Sequence, residues 1–324
     1  MILVTGGTGR IGRHLLAALL EKGESVRAIV RNEERAMYLP KGIEPFYADI
    51  TKKESLLNAF KGIEKVVHLA GSVDYSADAE VMHKLNVDGT RNILEACPPN
   101  LKRFVHISSI SVYGYRLAHV PADENTECWP GNQYGKTKML GEREALSFAS
   151  KLPVIVLRPG IVYGDGFDEG YTGVFEMLER GSMPILGDGD NTIPFVHVDD
   201  VVSAIMLALE TEVRSGSVYN IIGKEQLTQR EILALATQYL GVKEPKKNVP
   251  IIAAKLMAFG DSFICGLRGR KPKFILEYID KLASNRKFDT SKAEKELGFR
   301  AKVKLSDGIR DMVRSHGGDG NGKG

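Results

Sequence analysis

The opening residues constrain this chain most: three apolar residues, Ile2, Leu3 and Val4, run into Thr5-Gly6-Gly7-Thr8-Gly9-Arg10-Ile11-Gly12. An apolar strand that passes through a glycine-rich turn into a helix leaves unpaired backbone N–H groups at the helix start, and the space beyond them suits a pyrophosphate. Gly7, Gly9 and Gly12 fit G-x-G-x-x-G, whose glycines permit the tight turn, close approach of phosphate oxygens, and close packing of helix on strand. The following residues supply the context that the motif needs, because Ile11, Leu15, Leu16, Ala18 and Leu19 recur with the helical period over Arg10 to Lys22. The turn therefore predicts a dinucleotide site built from Gly6, Gly7, Thr8, Gly9, Arg10, Ile11 and Gly12.

At 324 residues the chain is long enough for a large core and a second, smaller domain. Its net charge of +3 is spread along the sequence apart from short clusters at Lys243 to Lys247 and Arg268 to Lys273, so no nucleic-acid partner is expected. Three widely separated cysteines, Cys97, Cys128 and Cys265, fit neither a disulfide framework nor a metal site, and point to a reducing cytoplasm. A strand starting at residue 2 leaves no room for a leader, and no apolar run reaches membrane-spanning length; a soluble protein without a membrane partner is expected. The apolar stretch Val249 to Leu267, interrupted by Lys255 and Asp261, reads as a core or substrate-pocket helix, with a membrane-surface helix as the alternative. The glycine-rich tail, 315–324, is expected to be disordered.

Apolar strands at Val26 to Val30, Glu44 to Ala48, Lys65 to Leu69, Arg103 to Ile107 and Val154 to Leu157 alternate with helical stretches at Ser55 to Phe60, Val81 to Ala96 and Gln133 to Ser150. Strict alternation predicts an α/β fold, a Rossmann-type doubly wound parallel sheet. A strand at Phe195 to Val198, a helix at Val201 to Leu209 and a strand at Val218 to Ile221 are expected to return to that sheet. The nucleotide-binding domain would then comprise 1–165 and 193–222, and a discontinuous substrate-binding domain 166–192 and 223–314.

The end of the second strand selects the dinucleotide. A carboxylate there bonds the adenine ribose hydroxyls, whereas an arginine accommodates a 2′-phosphate. Val30 and Arg31 favour NADP, with NAD possible if Glu33 or Glu34 takes the ribose. Asp49, followed by Ile50, is placed either to reach the adenine or to cap the next segment. Leu69, Ala70 and Gly71 end the fourth strand with small groups that let a cofactor lie close. His68 reads as a packed strand residue.

Three further elements lie at the carboxyl ends of predicted strands, or on the helix start facing them: Ser108-Ser109-Ile110-Ser111-Val112-Tyr113-Gly114, Tyr134-Gly135-Lys136-Thr137-Lys138, and Arg158-Pro159-Gly160. Tyr134 and Lys138 share a helix face. An ammonium about 4 Å away in an effective dielectric near 20 favours the phenolate by roughly 4 kcal/mol, enough to bring a tyrosine from about 10 toward 7. Such a phenol exchanges a proton with an alcohol at neutral pH, and Ser109 would steady charge on the same oxygen.

These blocks resemble the extended short-chain dehydrogenase/reductase family, the NAD(P)-dependent epimerase/dehydratase superfamily, over nearly the whole chain to about Met312. Thr5 to Gly12, Ser109 to Gly114, Tyr134 with Lys138, Arg158 to Gly164 and Phe195 to Asp200 match its characteristic blocks in order. The resemblance implies an NAD(P) enzyme in which Tyr134 is the acid/base and Lys138 also bonds the nicotinamide ribose. It further implies that Ser109 polarises the substrate oxygen and that Pro159, Gly160 and Val162 border the nicotinamide. Asn86 would hold active-site geometry or serve helix packing, and Asp199 and Asp200 would be an N-cap pair. It also implies a homodimer formed through Val81 to Ala96 and Gln133 to Ser150.

Ile110 and Ser111 stand where sugar-nucleotide dehydratases carry Asp-Glu, and Gly187 to Pro194 holds no cation for a substrate diphosphate. Val-Arg-Ala-Ile-Val-Arg is similar to the dihydroflavonol reductase and 3β-hydroxysteroid dehydrogenase branch. The expected activity is hydride transfer between NADPH and a carbonyl or secondary alcohol of a small, apolar substrate. The alternatives are a nucleotide-sugar epimerase using Arg268, Arg270 or Arg286, and a non-catalytic NADP-binding regulator.

Overall fold

The computed structural model describes residues 1–73, 78–167, 171–267 and 276–319. In chain order the elements are β1 (Ile2–Thr5), α1 (Arg10–Glu21), β2 (Val26–Val30), α2 (Glu33–Ala36), β3 (Glu44–Tyr47), β4 (Lys65–His68), α3 (Ala79–His83), α4 (Gly89–Ala96) and β5 (Arg103–Ile107). There follow α5 (Gln133–Ser147), β6 (Val154–Pro159), β7 (Ile161–Tyr163), α6 (Thr172–Glu179), β8 (Ile185–Leu186), β9 (Phe195–His197), α7 (Val198–Glu210) and β10 (Ser217–Ile221). The last are α8 (Gln229–Leu240), β11 (Asn248–Val249), α9 (Ile251–Leu267), α10 (Leu276–Ala283) and α11 (Leu305–Asp319).

Seven strands form one parallel sheet in the order β10-β6-β5-β4-β1-β2-β3. The order reverses between β1 and β4, the switch point at which doubly wound sheets open a crevice at their carboxyl edge. Thr5 pairs with both Ile29 and His68, and His68 with His106, so the strand ends that carry the motifs align along that edge. Side chains alternate across each strand. Leu15, Leu16 and Leu19 of α1 and Ile205 of α7 pack with Val4, Val105 and Ile155 on one face. Ile93 of α4 and Ala145 of α5 pack with Leu3, Val66, Phe104 and Val156 on the other. A further core joins Tyr163, Phe175 and Phe195 to Leu233 of α8 and Ile309 and Met312 of α11.

Several expectations are corrected. The strand at Phe195 does not rejoin the main sheet: β6 already has β10 as its outer neighbour, and β9 pairs in parallel with β7, which has left the sheet after Pro159. Only the helix α7 and strand β10 return to the sheet as expected. Lys53–Leu56 is a short 3-10 turn where a helix to Phe60 was expected. The long helix expected from Val81 divides at a π-helical turn, Lys84–Asp88. Asp199 and Asp200 do not cap α7, because the His197 side chain accepts from the Asp199 N–H. Asp200 is buried and instead accepts from the N–H groups of Lys302 and Val303, tying the C-terminal segment to α7. The final helix α11 runs to Asp319, into the tail expected to be disordered; residues 320–324 lie outside the described residues.

At Gly141 of α5, a Cβ would sit 2.2 Å from the carbonyl oxygen of Asn86 in the π-helical turn. Backbone has no rotamer with which to swing away, and overpacking costs about 1–3 kcal/mol, against about 1 kcal/mol gained in helix propensity. Gly141→Ala is therefore expected to lower the thermal unfolding midpoint; an unchanged or raised midpoint would show that the two helices separate freely.

Candidate active site

The glycine turn lies between β1 and α1. Gly6 has φ +71°, and a Cβ there would sit 2.7 Å from the Ala70 nitrogen, so β1's turn lies directly on the strand-end residues Leu69 and Ala70. A Cβ at Gly12 would lie 2.2 Å from the Gly6 oxygen and 2.7 Å from Gly7 Cα, so α1 starts pressed against the turn. Gly7, Thr8, Gly9, Arg10 and Ile11 complete the connection. At the helix start Gly9 offers no side-chain cap and the first turn carries no acidic residue. An N-terminus left open and without negative charge is suited to a phosphate. The Arg10 guanidinium lies 5.5 Å from the centre of the Phe167 ring, which brings the loop after β7 over this end of the crevice.

Arg31 is exposed just past β2. The next residue, Asn32, caps α2 by accepting from the Arg35 N–H, and Glu33 and Glu34 occupy that helix's first turn. Asp49 accepts from both the N–H and the hydroxyl of Thr51 through one oxygen, which closes a local turn; the 3-10 turn that follows starts from Lys52 without a side-chain cap. Burial works to raise its pKa but is outweighed by the Thr51 hydrogen bonds and the charges of Lys52 and Arg31, which hold the carboxyl below its ordinary range. Ile50 is buried, and its carbonyl accepts from the Asn92 side chain, so its side chain and carbonyl are both committed to the protein.

Asn86 sits in the π-helical turn, where its side chain accepts from the Ser72 N–H at 2.7 Å and donates to the Ser72 carbonyl and the Thr137 hydroxyl. It thus clamps the segment after Gly71 to α5. His68 is a buried strand residue, bonded to the Thr5 and Thr90 hydroxyls and stacked at 5.6 Å on His106.

At the end of β5 the Ser109 hydroxyl accepts from the Ser111 N–H and meets the Ser111 hydroxyl at 3.2 Å. Tyr134, on the first turn of α5, hydrogen-bonds Ser109. Lys138 is buried and donates to the Ile107 carbonyl at 2.5 Å. Burial pushes its ammonium down to about 8, against the pull of the Glu142 carboxylate. Burial also pushes the Tyr134 phenol above its ordinary value, partly offset by the Ser109 hydrogen bond. The expected fall of the phenol toward 7 is thus corrected. Lys138 directs its charge to the Ile107 carbonyl and toward His68 and His106. After burial, that charge helps hold His68 down to about 3 and His106 well below its ordinary value.

Sequence reasoning missed what lies behind these groups. Glu142, 5% exposed, takes two hydrogen bonds from Arg158, 6% exposed, at 3.0 and 2.5 Å, and a third from Ser108 at 2.6 Å. Arg158 also donates to the Tyr113 hydroxyl, which donates to Asn220. The available signal was the stripe Tyr134, Lys138, Glu142, whose spacing of four puts a second charge on the inward face of the helix. Ser108, expected beside the cofactor, has its hydroxyl bound to Glu142. Pro159 is paired with Ile221 at the end of β6, while Gly160 and Val162 lead into and through β7. Arg286 is buried against the Tyr115 ring and donates to the Lys281 carbonyl; Arg268 and Arg270 lie outside the described residues.

A family model described as the NAD dependent epimerase/dehydratase family matches residues 2–221. The chain belongs to this family. It is 28% identical to the 4-hydroxy-2-methyl-3-oxo-4-farnesyl-3,4-dihydroquinoline-1-oxide ketoreductase of Stigmatella aurantiaca, covering 98% of this chain and 97% of that protein. It is 27% identical to N-acetyl-alpha-D-glucosaminyl-diphospho-ditrans,octacis-undecaprenol 4-epimerase of Escherichia coli O157:H7, over 95% of this chain and 92% of that one. Among solved structures, UDP-glucuronic acid 4-epimerase from Bacillus cereus in complex with NAD superposes with a TM-score of 0.74 at 26% identity, covering 97% of this chain and 98% of that one. The extended short-chain dehydrogenase/reductase membership read from the motifs therefore holds, and members are NAD-dependent dehydrogenases, reductases, epimerases and dehydratases.

Arg158→Met would strand the buried Glu142 carboxylate and is expected to cost about 3–5 kcal/mol in chemical denaturation, whereas Arg158→Met with Glu142→Leu should lose much less. A double variant as unstable as the sum of the single losses would show that the two charges do not act as a pair.

Proposed function

We propose that the chain is an NADPH-dependent carbonyl reductase, able also to oxidise the corresponding secondary alcohol, acting on an apolar substrate. The observation that carries this reading is the Ser109–Tyr134 hydrogen bond at the carboxyl edge of the sheet, with the phenol held protonated by burial. A protonated phenol and a serine hydroxyl that share one hydrogen bond can both be turned to a carbonyl oxygen, where they stabilise and then protonate the oxyanion.

The turn Gly6 to Gly12 fits a pyrophosphate, Arg31 a 2′-phosphate, and Lys138 a ribose hydroxyl; when bound, the nicotinamide supplies or accepts the hydride. Asn86 fixes the Ser72 segment beside it. The two curated relatives described above carry a farnesyl and an undecaprenol group in their names, which supports an apolar substrate. The run Gly187 to Pro194 offers no cation for a diphosphate, and the buried Arg286 is engaged with Tyr115 and Lys281.

Tyr134→Phe is expected to lower kcat for ketone reduction by about 10²–10⁴-fold with NADPH affinity kept. In the parent enzyme kcat/KM should fall above about pH 8, as Lys138 loses its proton. Conversion of UDP-sugars without ketone-dependent NADPH oxidation would make the chain an epimerase instead, and full turnover by Tyr134→Phe would remove the acid role. For the cofactor, Arg31→Ala should weaken NADPH binding about tenfold to a hundredfold, the worth of one charge-assisted hydrogen bond, and leave NADH binding unchanged. Equal losses in a titration of both would exclude a 2′-phosphate contact.

A further inference from the structure

Residues 251–260 of helix α9 are packed inside out. Their inward members are the small Ala254 and Ala258, which meet Leu186 of β8 and Ile279 of α10, while Lys255 pairs with Asp280 at 2.5 Å. The bulky residues of this described part face outward: Ile252 is 75% exposed, Leu256 68%, Met257 65% and Phe259 64%. At about 100° per residue, Phe259, Ile252, Leu256, Gly260, Ala253 and Met257 form one continuous sector, without a polar side chain among them. The core part of the reading of Val249 to Leu267 does not hold for this outward sector.

Contiguous apolar surface of this kind marks an interaction site, and its occupant is indicated by charge. The segment leading into α9 holds three exposed lysines, Lys243, Lys246 and Lys247, against one carboxylate, Glu244. Lys247 is tied in place, since its carbonyl accepts from the Ile185 N–H and the next residues form β11 on β8. An apolar helical face preceded in the chain by exposed lysines complements a layer that is apolar within and anionic at its rim. Among the described residues no helix is long and apolar enough to cross a bilayer.

We infer that the outward face of α9, with Lys243, Lys246 and Lys247, docks the protein on an anionic lipid surface. The inference does not rest on the redox reading, although an apolar carbonyl substrate dissolved in a bilayer would reach an enzyme held there.

The test is flotation of the full-length chain with vesicles of phosphatidylcholine alone and of phosphatidylcholine with one third phosphatidylglycerol. The protein is expected to float with the anionic vesicles, to release as salt is raised, and to bind the neutral ones at least about tenfold more weakly, since each lysine near an anionic surface contributes about fivefold. Combined Ile252→Ser, Leu256→Ser and Phe259→Ser should weaken binding by at least about tenfold, as should combined Lys243→Glu, Lys246→Glu and Lys247→Glu, each with an unchanged thermal midpoint. Failure of the parent to float, or equal flotation of the serine variant, would overturn the inference. So would a parent dimer in light scattering that the serine variant dissolves without any vesicle binding, because the face would then belong to a second copy. Ketone reduction in free solution should be unchanged in both variants, so loss of the docking face and failure of the redox reading give different results.

Discussion

The buried pair of Arg158 and Glu142 sets the register of everything above it. Both side chains are taken out of water, which costs each ion several kcal/mol, and their fork-to-fork contact with three hydrogen bonds to the carboxylate offsets that cost. Such a pair is weak evidence for stability, but it permits little tolerance in position. Because Tyr134, Lys138 and Glu142 lie on one stripe of α5, fixing the last at β6 fixes the other two against the sheet edge. The Ser108 hydroxyl binds the same carboxylate, so Ser109, the next residue, is delivered to Tyr134 by the same anchor. A single ionic contact therefore aligns a helix with two strand ends.

Under the site, one positive charge faces two imidazoles. Burial and the Lys138 charge both hold His68 and His106 neutral, and the rings stack instead of repelling. His68 then finds hydroxyl partners in Thr5 and Thr90, and Thr5 in turn accepts from the Ala70 N–H. The glycine turn, the end of β4 and the π-helical turn are tied together through this neutral chain. Lys138 works against desolvation with the Glu142 carboxylate to help it, which leaves its pKa at about 8. The phenol gains no comparable relief. A Coulomb estimate at a fixed separation omitted the burial of the acceptor itself, and burial decides the direction.

The sheet and the three motif loops were legible because each has a local signature. Strand alternation, the glycine turn and the four-residue spacing of Tyr134 and Lys138 depend only on neighbours in sequence. What was not legible is long-range. Whether Phe195 pairs with β6 or β7 depends on β10 having taken the edge, and nothing near Phe195 reports that. Asp200 looks like a helix-start acid until Lys302 and Val303 arrive from a hundred residues away. Glu142 shares a stripe with Tyr134 and Lys138, but its partner Arg158 comes from another element. Asn86 was legible as a residue but not as a clamp, since the π-helical turn that aims it at Ser72 has no signature in composition.

Helix α9 illustrates the same limit from the other side. A segment that is apolar around its circumference has no periodicity to declare its inner face, and the reading as a core helix follows from composition alone. Size, not polarity, resolves it. The face bearing Ala254 and Ala258 lets α10 approach closely, and closeness maximises contact between atoms whose attraction falls off steeply with distance. Turning Leu256 and Phe259 inward would force α10 away and give up that contact. The packing of α10 on α9 therefore leaves the large side chains of residues 251–260 outside.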